Sequence, residues 1–141
     1  MPPPKVAASV KRIFGAGAIA TPVLIAADTA YRIVRADTVL GFAVVRAVKG
    51  KDQPITFLVA TDTADRLRDI DILVYREPYG GEVAYDAWRR QFRGKSTDDA
   101  LQVGRDIRTI SGATISVNAV TLGVRKALGD LTAWHRSGAL Q

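Results

Sequence analysis

The 141-residue chain has no cysteine. Disulfides, thiolate metal sites, thiolate-held iron–sulfur clusters and cysteine nucleophiles are therefore excluded. It has one histidine, His135, too few for a histidine-based zinc site and poor ground for a Ser-His-Asp triad. Near the C-terminus and without companion ligands, His135 reads as a surface residue. Long hydrophobic runs are also lacking: none reaches the ~20 apolar residues that a membrane-spanning helix needs. The nearest approach, residues 13–27, follows Lys11 and Arg12 as a signal-peptide core would. Gly15, Gly17 and Pro22 interrupt it, and no small-residue cleavage site follows. It reads instead as the end of a helix, a glycine-rich turn and a strand. Acidic residues are in deficit, 14 against 20 Lys and Arg, which leaves a net charge of +6 and a pI of about 10.0. That excess points to an anionic partner: nucleic acid, anionic lipid, or a phosphate-bearing cofactor.

The rest of the composition, 48% hydrophobic and 24% charged, is that of one globular domain and not of a disordered chain. Residues 1–4, Met-Pro-Pro-Pro, read as a disordered leader and residues 5–137 as the domain. Val6, Val10, Ile13 and Phe14 recur at helical spacing, predicting a helix over 5–14. Residues 29–35, 39–48, 55–60 and 67–75 are β-rich and separated by short polar turns, which predicts an antiparallel meander. Pro78 and the Gly80-Gly81 pair end that pattern. Tyr85, Trp88 and Phe92 predict a short apolar-faced helix ended by Gly94, with its aromatics in the core. Residues 96–104 read as a further helical turn, capped by Ser96 or Thr97, with Asp98 and Asp99 in its first turn. Val117, Val120, Val124, Leu128, Leu131 and Trp134 form one stripe, predicting a helix over about 115–135 that packs on the sheet. Gly123 and Gly129 either weaken that helix locally or permit close packing. The fold class is α+β: a twisted antiparallel sheet with packed helices.

The segment Ser111-Gly-Ala-Thr-Ile-Ser116 leads into that last helix. One reading is a plain helix start, with Ser111 or Thr114 as cap and Gly112 in the turn. The other uses the same geometry, since free N–H groups and the positive end of the helix dipole favour a phosphate placed before the helix. The basic run Arg89, Arg90, Arg93 and Lys95, with aromatics among it, permits nucleic-acid binding but reads better as a solvated helix face.

Ser111-Gly-Ala-Thr114 resembles the signature of the FMN-binding domain family, which includes the G subunit of the Rnf complex and the C subunit of the sodium-pumping NADH:quinone reductase. The likeness extends to Leu40-Gly41-Phe42, Pro54–Phe57, Arg76-Glu-Pro-Tyr-Gly-Gly-Glu-Val83, Gln91–Lys95 and the run Val117–Leu128. It thus covers most of residues 5–135, in order. The resemblance implies an FMN-binding α+β fold and an electron carrier, as opposed to a stand-alone enzyme. It further implies FMN joined to Thr114 by a phosphoester, placed there from FAD by a separate magnesium-dependent flavin transferase. Redox donor and acceptor proteins and an extracytoplasmic, periplasmic-type location are implied as well. The implied cofactor-binding set is Thr114, Ser111, Gly112, Ala113, Ser116, Glu77, Tyr79, Gly80, Gly81 and Lys95. Within it Glu77 is expected to accept a hydrogen bond from the flavin, Tyr79 to stack on the ring, the glycines to allow close approach and Lys95 to meet the phosphate or the ring. One departure is Arg108, where many relatives carry Asp; Asp106 lies close by, and Arg108 can pair with a flavin phosphate. The alternatives are a noncovalent FMN enzyme of the flavin-reductase type and a basic nucleic-acid-binding module.

Overall fold

A computed structural model describes residues 2–141. A helix, α1 (Pro4–Phe14), precedes five strands: β1 (Ile19–Ile25), β2 (Asp28–Arg35), β3 (Thr38–Lys49), β4 (Pro54–Asp62) and β5 (Leu67–Val74). A short helix, α2 (Asp86–Arg89), follows and continues as a 3₁₀ turn over Arg90–Phe92. The chain then runs through turns into α3 (Thr114–Ser137). The strands form one sheet in the order β1-β2-β3-β4-β5, every neighbouring pair antiparallel. The α+β expectation holds.

Side chains alternate across a strand, and here both faces are covered. Phe42 and Val44 of β3 and Ile55, Phe57 and Val59 of β4 join Val117, Val120, Val124, Leu128 and Leu131 of α3 in one core. Ala43, Leu58 and Ala60 point the other way and meet Val6, Val10 and Phe14 of α1. β4 is thus buried on both faces, which explains its nearly unbroken apolar run. Each fully buried aliphatic side chain of the α3 stripe contributes about 1.5–3 kcal/mol relative to exposure, so α3 is fixed mainly by burial. In α1, Pro4 stands at the first position, where its missing N–H goes unused. Lys11 and Arg12 stand in the last turn, where the dipole favours them.

Four sequence expectations change. The helix predicted over 5–14 starts one residue earlier, at Pro4, and the Ala7 N–H reaches the Pro3 carbonyl at 3.0 Å; Met1 lies outside the described residues. Residues 96–104 form turns and no helix. The Asp98 N–H donates to Ser96 Oγ and the Ser96 N–H to Asp99 Oδ2, so these polar side chains take up backbone groups that would otherwise propagate a helix. His135 is half-buried, its ring centre 4.6 Å from that of Phe42 and its Nδ1 2.6 Å from Asp65 Oδ1. The basic run is only in part a solvated face. Arg89 is buried and donates to Asp69 Oδ1 and to the carbonyls of Ile70 and Ala84, while Arg93 pairs with Asp69 and Asp86. Arg12 reaches the same buried Asp69 from α1 at 3.0 Å. One carboxylate therefore joins α1, β5 and α2, and it takes up the charge of Arg89 and part of that of Arg93, while Arg90 stays exposed.

The two glycines of α3 do different things. A Cβ on Gly123 would lie 2.6 Å from Phe57 Cζ and 2.7 Å from Val48 Cγ1, whereas one on Gly129 would meet nothing within 4 Å. Gly123→Ala is therefore expected to destabilise the domain by about 1–3 kcal/mol through overpacking. Gly129→Ala is expected to stabilise it by about 0.5–1 kcal/mol through helix propensity. Urea unfolding of the two variants checks the opposite signs.

Candidate functional site

The first turn of α3, the β3–β4 turn and the loop leaving β5 converge. Tight turns permit this. The Gly50 N–H bonds to the Gln53 carbonyl at 2.9 Å, closing the turn Gly50–Gln53. From the loop after β5, Glu77 reaches across, and its Oε1 accepts the N–H groups of Asp52 at 2.7 Å and Gln53 at 2.8 Å. A side chain on Gly50 would collide with that oxygen, at 2.6 Å. The N–H of Gln53 first, and that of Asp52 second, hold the Glu77 carboxyl below its ordinary 4.5, with Lys51 adding in the same direction.

The same loop is clasped to α3. The Tyr75 hydroxyl lies 2.8 Å from Ser116 Oγ and also donates to the Tyr79 carbonyl. Gly80 has φ +86°, and a Cβ there would come within 2.5 Å of the Tyr75 hydroxyl and 3.0 Å of Ser116 Oγ. On the other side, Trp88 Nε1 donates to the Arg108 carbonyl and Gln91 Oε1 accepts the Arg108 N–H, both at 2.8 Å. These bonds aim residues 108–113 at the helix start. Asp106 takes the N–H groups of Leu101 and Gln102 at 2.9 Å each. Partial burial opposes its ionisation, yet these bonds outweigh it and lower its pKa from 3.8. Asp106 is thus committed to its own loop.

Between the three segments lies an open cleft of about 350 Å³, lined by Lys51, Asp52, Glu77, Pro78, Tyr79 and residues 112–116. Small-molecule sites run from about 300 to 1,000 Å³. Neither Ser111 nor Thr114 caps the helix: the cap position is Ala113, with no side-chain capping bond, and Thr114 is the first helical residue. The N–H groups of the first turn have no intrahelical partners, so an uncapped, positive helix end faces the cleft. Thr114 is exposed there, Gly112 at φ +79° has open space beside it, and Tyr79 is 80% exposed.

Of the sequence-derived set, Thr114, Gly112, Ala113, Ser116, Glu77 and Tyr79 therefore meet at one cleft. Ser111, Gly80, Gly81 and Lys95 do not line it. Gly80 packs the loop against Tyr75 and Ser116, which is why it must be glycine. The Lys95 carbonyl accepts the N–H of Leu67, at the start of β5, while the cleft lies beyond that strand's end. An eight-residue strand at about 3.3 Å per residue separates them. Lys51, Asp52, Pro78 and Ile115 were missed. Lys51 and Asp52 are brought in only by the β3–β4 hairpin and its bond to Glu77, a pairing that no local pattern announces. Tyr85, expected in the core, is 64% exposed and shares a groove with Arg108.

A family model described as "FMN-binding domain" matches residues 50–129, from the β3–β4 turn to within α3. The chain belongs to the FMN-binding domain family. It is also 31% identical over 110 residues to the G subunit of the proton-translocating ferredoxin:NAD(+) oxidoreductase complex of Clostridium ljungdahlii. That similarity covers 72% of this chain and 59% of the relative, so the chain spans about three fifths of the curated relative it matches. The family segment contains all three parts of the cleft. The cleft combines an uncapped helix end, an exposed tyrosine and a volume in the range of small-molecule sites.

Glu77 makes the cleft pH-sensitive. Its folded pKa is depressed, so its brace on the turn is complete above the unfolded value and is lost as pH falls through the lower, folded one. Protection of the Asp52 and Gln53 amides, taken relative to their intrinsic exchange rates, is expected to hold above pH 4.5 and to fall below it, with a midpoint under 4.5. Glu77→Gln is expected to abolish that midpoint. Amide exchange followed by NMR between about pH 3 and 6, at about half-unit steps, checks both.

Proposed function

We propose that this domain is an electron carrier whose FMN is held through a phosphoester to Thr114. The supporting observation is the position of Thr114: an exposed hydroxyl on the first residue of an uncapped 24-residue helix, within the family-matched segment. An aliphatic hydroxyl is the group a phosphoester needs. Among the described residues no side chain is hydrogen-bonded to the Thr114 hydroxyl, in keeping with attachment by a separate magnesium-dependent flavin transferase with FAD as donor. In that step the Thr114 oxygen bonds to the flavin-side phosphorus of FAD. The pyrophosphate bond breaks, AMP leaves, and the hydroxyl proton passes to solvent.

The chain's own residues hold and orient. The first-turn N–H groups of α3 and the dipole behind them receive the phosphate, and Lys51 adds a positive charge at the cleft. Glu77 keeps the β3–β4 turn in place, and the Tyr75–Ser116 bond keeps the loop after β5 against the helix. Tyr79 offers a face for stacking. FMN, when bound, supplies the redox chemistry. The relative named above, part of a ferredoxin:NAD(+) oxidoreductase complex, supports a relay between protein partners, and the resemblance to exported relatives supports an extracytoplasmic location. Among the described residues no helix is long and apolar enough to cross a membrane. A noncovalent flavin reductase is the second reading. Arg108 favours it, standing where many relatives carry an acid. Nucleic-acid binding is disfavoured by the burial of Arg89 and the pairing of Arg93.

Co-expression with a flavin transferase, then denaturation and intact-mass analysis, tests the attachment. An FMN-sized increment on the peptide containing Thr114, absent from Thr114→Val, is expected. Flavin released on denaturation, with the transferase active on a control protein, would refute the phosphoester and favour the noncovalent reading.

A further inference from the structure

The geometry points to the face beside the cleft, between β3 and α3, as the docking surface for an acidic protein that exchanges electrons with this domain. The inference rests on the reading of the domain as an electron carrier. Ile115, Leu122 and Lys126 follow one line along α3, and Ile115 also lines the cleft. Ile115 is 53% and Leu122 65% exposed. On a helix whose other side is fully buried, these are the large apolar side chains left in solvent. Next to Leu122 a second hollow, of about 460 Å³, runs between α3 and β3. Val48, Ala119 and Gly123 contribute to its lining, and Lys49 and Lys126 stand at its sides. The absent side chain of Gly123, which lets α3 lie close to Phe57, also leaves this surface concave.

The charged residues that line the hollow are all basic. Arg46, at its end, is paired, its Nη2 lying 2.9 Å from Asp130 and 3.7 Å from Asp28, so that end carries no free positive charge. Lys49 and Lys126 are exposed and form no ion pair among the described residues, and Lys51 extends the positive edge to the cleft. An apolar centre with an unpaired cationic rim has the anatomy of a protein interface. Its complement is an apolar patch rimmed by carboxylates, which such a rim would steer into place. Nucleic acid fits this surface less well, because no aromatic ring lines the hollow for a base to stack on. Since Ile115 belongs both to the cleft and to this stripe, a protein seated here has its edge at the flavin site.

The test uses the full chain, flavin-free and FMN-loaded, with a small acidic [2Fe–2S] ferredoxin as the protein probe. Phosphatidylglycerol-containing vesicles and a single-stranded DNA oligonucleotide serve as competing polyanions. Lys49→Glu with Lys126→Glu is compared with Lys11→Glu with Arg105→Glu, a pair that removes the same charge elsewhere. Leu122→Ala probes the apolar centre at constant charge. All five positions are exposed. Lys51 is left intact because it lines the FMN cleft. The expected result is salt-sensitive ferredoxin binding that the first pair weakens about tenfold, Leu122→Ala severalfold and the second pair less than about threefold. Equal loss in both pairs, absence of ferredoxin binding, or a dependence on Lys49 and Lys126 seen only with vesicles or DNA would overturn the assignment. Binding is read on the flavin-free chain and FMN content by mass, so a failure of attachment and a failure of docking are told apart.

Discussion

Between Gly123 and the ends of Phe57 and Val48 there is no room for a side chain, and α3 consequently lies directly on β3 and β4. The remainder of the site follows from that approach. With the stripe from Val117 to Leu131 buried, the first turn of α3 comes to rest where the β3–β4 turn and the loop after β5 leave the sheet. Two hydrogen-bonded links then hold the parts together: Glu77 to the backbone of the turn, and Tyr75 to Ser116 of the helix. Burial of the stripe, at about 1.5–3 kcal/mol for each aliphatic side chain, outweighs the links at about 1 kcal/mol each. The hydrophobic contact therefore places the helix, while the polar links set the width and shape of the cleft.

The positive charge divides according to surroundings. Arg12, Arg89 and Arg93 converge on the buried Asp69 and tie α1, β5 and α2 together. Removing Asp69 or Arg89 is costly because it strands the other, buried, charge in low dielectric, whereas Arg12 and Arg93 keep access to solvent. Arg46 is held by Asp28 and Asp130. What is left to act outward near the cleft is the helix end itself, Lys51, and the lysines of the adjoining face. Pairing leaves the net charge at +6, but it withdraws these arginines from the groups that can bind an outside anion.

Much of this was legible in the sequence, and the limits have physical reasons. The α3 stripe and the β-rich runs follow burial on one or two faces, which leaves a periodic trace. The start of α3 at Thr114 was legible because Ser-Gly-Ala-Thr carries both a turn signal and a family resemblance. Lys95 does not line the cleft because a family resemblance along the chain does not say which end of β5 a loop joins. Lys51 and Asp52 escaped notice because their position depends on a hairpin and on the carboxylate of Glu77, 25 residues after Asp52. The part of the basic run misread as solvated shows the same limit: Arg89 is buried only because Asp69, 20 residues earlier, is there to receive it.

The central claim is that FMN enters the cleft with its phosphate at the first turn of α3. Backbone amide shifts of the FMN-loaded domain against the flavin-free domain test it most directly. The predicted result is large shifts confined to residues 112–116, 51–53 and 77–79, with little change at Lys95 and Arg105. Shifts centred on Lys95 and Arg105, or none in residues 112–116, would contradict it.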